Sequence, residues 1–64
     1  MEIYQELLET SLTEKRGLTF FLQGQTISGI VVEILADKKA VVLQSQMYSR
    51  IIVRLENVAA VAIG

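Results

Sequence analysis

The chain begins with apolar residues Ile3, Tyr4, Leu7, Leu8 and Leu12 at spacings of three to five, with Glu2, Glu6 and Glu9 falling largely between them. That period predicts an amphipathic helix over the first 17 residues. Acids in its first turn and Lys15-Arg16 in its last match the helix dipole, and Gly17 is the expected C-cap. From Leu18-Thr19-Phe20-Phe21-Leu22 onward the texture changes to Val, Ile and aromatic residues, without a proline anywhere. This predicts five strands at about 18–23, 26–35, 40–46, 49–55 and 58–63. Gly24-Gln25, Asp37-Lys38-Lys39, Met47-Tyr48 and Glu56-Asn57 separate them, and links this short imply hairpins or tight turns.

The second of these strands is longer than a typical strand of about 5–6 residues. It carries Gly29 inside it, where glycine normally weakens pairing. A bend at that point reconciles both features and lets five antiparallel strands curl into a small barrel. Phe20 and Phe21, adjacent on one strand, must point to opposite faces. One is core; the other is either covered by the helix or offers a stacking platform on the opposite side. Tyr48, in a link, is either a packing residue or a further platform. No internal repeat or linker divides the chain, so residues 1–64 form one mainly β domain: a helix over 1–17 and a strongly bent five-stranded antiparallel sheet over 18–64.

Size and composition add one demand. A domain of 64 residues buries only about 60% of its unfolded surface, and its own core supplies roughly 3–5 kcal/mol. Without Cys there is no disulfide, and without His no zinc-finger cage, so no metal or cofactor is expected to supplement it. Yet 52% of the residues are apolar and only 20% charged, and runs such as Ile51-Ile52-Val53 and Val58-Ala59-Ala60-Val61-Ala62-Ile63 would be buried on both faces. Association with copies of itself is the expected supplement. No segment approaches the ~18 apolar residues of a spanning helix, and Met1-Glu2-Ile3 lacks the basic start of a signal peptide. A cytoplasmic protein is the expectation, with no membrane partner.

Six basic residues against seven acidic ones give a net charge of −1, which disfavours a strong non-specific grip on phosphate but leaves room for a local basic spot. Enzyme chemistry is not expected: none of Ser11, Ser28, Ser45 or Ser49 lies in a nucleophile motif, and the glycines at 24 and 29 are followed by Ile30 where a phosphate loop needs Lys-Ser/Thr.

The string Phe21-Leu22-Gln23-Gly24-Gln25-Thr26-Ile27-Ser28-Gly29 has a glycine, an apolar residue three on and a second glycine five on. It resembles the first motif of the Sm-like family, which includes the bacterial RNA chaperone Hfq. Ile52-Val53-Arg54-Leu55-Glu56-Asn57-Val58 resembles the second motif, and its Val-Arg-Leu version is especially similar to the divergent Hfq proteins of cyanobacteria. With the helix in front, the resemblance covers nearly the whole chain.

The resemblance implies a helix-capped, bent five-stranded barrel whose fourth strand pairs with the fifth strand of the next copy, closing a ring of about six or seven. Ile51, Ile52, Val53, Val58, Ala60 and Val61 would then form the oligomer interface. It also implies single-stranded RNA at the pore. By position, Asp37-Lys38-Lys39 matches the first pore loop and Arg54-Leu55 the second, while Gln5 corresponds to a pore-side helix glutamine. The match departs from the family in three ways: the first loop has no aromatic, it sits later after the second glycine, and Leu55 stands where His or Gly is usual. Stacking contributes about 1–3 kcal/mol per base, so the missing aromatic weakens base capture. Each candidate also has an ordinary reading. Lys38-Lys39 would be a solvated turn, Arg54 the partner of Glu56 or of a neighbour's acid, and Gln5 an exposed polar position. A ring used as a platform for other proteins is the alternative to RNA binding.

Overall fold

The computed structural model describes the backbone of residues 2–64 and the side chains from Tyr4 onward. The parts read for Glu2 and Ile3 in the helix pattern lie outside the described side chains. Helix α1 spans Glu2–Glu14 and is followed by β1 (Gly17–Leu22), β2 (Gln25–Leu35), β3 (Ala40–Gln44), β4 (Ile51–Arg54) and β5 (Val58–Ile63). Short 3-10 turns at Ala36–Lys38 and Leu55–Asn57 precede β3 and β5. The expected architecture is present: an N-terminal helix and then five antiparallel strands in one bent sheet. Among the described residues no helix is long and apolar enough to cross a membrane.

The bend in β2 organises the sheet. Eleven residues laid flat would run about 33 Å at 3.3 Å per step, yet the chain extends only 26 Å along its longest principal axis. The strand therefore curves, pairing with β1 through Gln25–Ile30 and with β3 through Ile30–Leu35. Gly29 sits at this corner, where an added Cβ would stand 2.9 Å from the Gln44 carbonyl oxygen and 3.3 Å from Leu43 Cβ. Only glycine lets β3 approach so closely. A register shift between Val31 and Glu33 sharpens the curve. The strand order β4-β3-β2-β1-β5 leaves β4 and β5 at the two ends, so the sheet curls without closing on itself.

One apolar cluster fills the curve. Leu18 and Phe20 from β1, Val31 from β2, Val41 and Leu43 from β3, and Val53 from β4 meet Leu8 of α1 there. Tyr4 and Leu7 pack against the same cluster, and the Tyr4 hydroxyl donates to the Val58 carbonyl at 3.3 Å. The alternation expected at the paired phenylalanines holds, Phe20 being fully buried and Phe21 41% exposed. Because the helix lies on the Phe20 side of the sheet, cover of Phe21 by the helix is not what occurs.

The join of helix to sheet depends on a buried hydroxyl. β1 starts at Gly17, opposite Ile30, so from Val31 onward β2 has no β1 neighbour to take its N–H groups. Ser11 Oγ accepts from the Val31 N–H at 3.0 Å and donates to the Arg16 carbonyl. Replacing Ser11 with alanine would leave that buried N–H unpaired, a loss of about 1–3 kcal/mol. Urea denaturation should show it as a lower midpoint with an unchanged m-value, and a loss below about 0.5 kcal/mol would mean that another group takes over the bond.

Several predicted boundaries need correction. The helix ends at Glu14, with no basic residue in its last turn, instead of running to 17. Lys15 (φ 58°), not Gly17, adopts the left-handed conformation that ends it. The Ser11 bond to Arg16 holds the chain in its turn there, and Gly17 is already strand. β3 stops at Gln44 and β4 starts only at Ile51, so the link between them is longer than Met47-Tyr48. Ser45 is the reason: its hydroxyl accepts from the N–H groups of Met47 and Tyr48, and its own N–H donates to the Tyr48 carbonyl. That self-contained turn replaces ladder bonds at both strand ends.

Candidate nucleic-acid interface

The two loops singled out in the sequence lie together. Lys39, in a left-handed conformation (φ 52°), turns the chain from the Ala36–Lys38 3-10 turn into β3. Across the β3–β4 ladder Ala40 is the register partner of Arg54. One step beyond, the Leu55 N–H donates to the Lys39 carbonyl at 2.9 Å. Lys38, Lys39 and Arg54 thus sit on segments locked to each other at one end of the sheet, all three exposed.

Electrostatically the end is mixed. Three cations, Lys38, Lys39 and Arg54, stand against two acids, Asp37 and Glu56, for a net of +1 per chain (3 − 2). Arg54 Nη2 lies 2.6 Å from Glu56 Oε2, with the two side chains 67% and 61% exposed. Among the described residues neither Lys38 nor Lys39 has an ion pair. Two ammonium groups and a guanidinium on a fixed backbone can hold phosphate oxygens, and Arg54 can do so only in competition with Glu56.

Comparison with protein-family models, curated proteins and solved structures finds no match to this chain. The likeness to the Sm-like family stands on the motif strings alone.

The remaining candidates fall in different places. Gln5 is half-buried on α1, and its amide donates to Glu9 Oε2 at 2.6 Å, so its hydrogen bond is made within the helix. Leu55 belongs to the buried cluster, so where the resemblance puts a pore residue this chain has a core anchor. Of the six interface candidates, Val53 and Val58 are buried in the chain's own core, and Ile51 and Val61 are half-buried against it. Only Ile52, 62% exposed, and Ala60 turn outward. Val53 and Val58 could contribute to an interface only through their backbone, whereas Ile51 and Val61 keep part of their side chains accessible.

One feature escaped the sequence reading. Met47 and Tyr48 are both exposed and line an open groove with Ile27, Gln46, Arg50 and Ile51. Tyr48 is thus not the packing residue its link position allowed. Arg50 extends over this region toward Glu33, at 3.9 Å. Two bulky apolar residues in succession between strands were the available signal.

Proposed function

We propose that this chain works as a homo-oligomeric ring of the Sm-like kind that holds single-stranded RNA near its pore. The observation that carries the reading is the Leu55-to-Lys39 hydrogen bond, which brings the two basic loops to one end of the fold. In the proposed ring, β4 of one copy pairs with β5 of the next. These are the two end strands of the sheet, each with a single neighbour. Pairing them would satisfy two rows of backbone groups and cover Ile52 in the same step. A subunit net of +1 at this end would be repeated around one pore, concentrating positive potential in an acidic protein. Lys38, Lys39 and Arg54 would hold phosphates, with Asp37 at the loop edge.

Salt dependence tests the reading. Affinity for a short U-rich or A-rich oligonucleotide, followed by fluorescence anisotropy, should fall as salt rises, with a log–log slope of about −0.7 per phosphate neutralised. Arg54→Ala should weaken binding about two- to fivefold and flatten that slope by less than one full phosphate, since Glu56 competes for the guanidinium. Absence of binding at low salt would overturn the RNA reading. The second reading, a ring that serves as a protein platform, is favoured by the Arg54–Glu56 pair, which leaves less free positive charge for RNA. It would stand if the ring assembles and no oligonucleotide binds.

A further inference from the structure

We infer that Glu56 sets the RNA affinity of this end of the molecule by occupying Arg54. The inference rests on the RNA reading above and concerns how that same site is tuned.

Arg54 is the last residue of β4 and Glu56 the middle residue of the 3-10 turn that follows. Leu55, between them, has its side chain in the core and its N–H tied to the Lys39 carbonyl. An inward residue anchored at both backbone and side chain leaves its two neighbours facing outward. There the guanidinium and the carboxylate meet at 2.6 Å. The pairing thus follows from how the turn is held, although both side chains are free to solvent.

The consequences differ for the three cations. Lys38 and Lys39 have no ion pair among the described residues and meet an incoming phosphate directly. Arg54 must first leave a carboxylate, which then stays beside the site and repels the phosphate. An exposed pair of this kind is weakly held, so the guanidinium can be released, but each release lowers net affinity. The acid acts as a brake on Arg54 and does not block the site.

The test uses the full chain in its assembled form and a short single-stranded oligonucleotide. Glu56→Gln should bind about three- to tenfold more tightly than the parent. Its log–log salt slope should steepen by about 0.7 for each phosphate that a released Arg54 newly neutralises. Glu56→Asp, which keeps the charge, should stay close to the parent. In an Arg54→Ala background, Glu56→Gln should give little gain.

An unchanged affinity and slope for Glu56→Gln, in a parent that binds through Lys38 and Lys39, would overturn this inference and leave the RNA reading intact. An equal gain with and without Arg54 would also overturn it, since the effect would then be one of net charge. Failure of both parent and Glu56→Gln to bind at low salt would overturn the RNA reading together with the inference. A salt slope is an apt readout because a merely structural role for Glu56 would not steepen it.

Discussion

Phe20→Ala is expected to unfold most of the isolated chain. Phe20 is the largest fully buried side chain and lies on β1, which pairs with β2 on one side and β5 on the other. Its ring packs in the cluster shared by Leu8, Val31, Val41 and Val53, so truncation opens a cavity in the core between the helix and the sheet. Such a change costs about 3–5 kcal/mol. A domain of this size has roughly 3–5 kcal/mol to lose. Far-UV circular dichroism during urea or thermal denaturation should show the native baseline shortened or gone. Phe21→Ala is the control: next in sequence and 41% exposed on the other face, it should cost about 1 kcal/mol or less. Similar losses at the two positions would contradict the alternation that places one ring inside and one outside.

The second large effect concerns assembly and not folding. Ile52 is 62% exposed on β4, an end strand of the sheet, and in a lone chain Ile52→Lys replaces one exposed side chain by another. Its effect on folding should stay within about 0.5 kcal/mol. In the proposed ring the same lysine would be repeated at every contact and taken out of water without a partner, a cost of several kcal/mol per interface. Native mass spectrometry should therefore find rings for the parent and single chains for the variant, with unchanged circular dichroism. A variant that still forms rings would place the contact away from β4, and a parent that is a stable folded monomer would overturn the ring altogether.

Both predictions turn on which way a side chain points, and the two differ in how early that could be read. The inside–outside relation of Phe20 and Phe21 follows from strand geometry alone, because neighbours on a strand must face apart. Which ring faces inward depends on where α1 lies, and that required the fold. The bend at Gly29 was also legible, since an overlong strand with an internal glycine has few other solutions. The apolar run Ile51-Ile52-Val53 looked uniform in the sequence. In the fold its members separate into Val53 in the core, Ile51 half-buried and Ile52 outward. Ser11 and Ser45 were the least legible residues. Ser11 satisfies a strand N–H that is uncovered only because β1 begins late, and Ser45 closes a turn that shortens two strands. A hydroxyl's effect depends on which backbone group happens to lack a partner, and composition does not record that.

The sequence by itself determined the order and type of the elements, the bend in the second strand, and the surplus of apolar surface for a chain so small. These follow from local periodicity, from the special geometry of glycine, and from the ratio of surface to volume. Only the tertiary structure decided that β4 and β5 are the two end strands, that Leu55 is core, and that Arg54 shares one end with Lys38 and Lys39 but is held by Glu56. The reason is register. The bond from Leu55 to Lys39 exists because β3 and β4 pair with Ala40 opposite Arg54, and a shift of one residue would face every side chain of β4 the other way. Register is a property of two strands together, and neither one carries it alone.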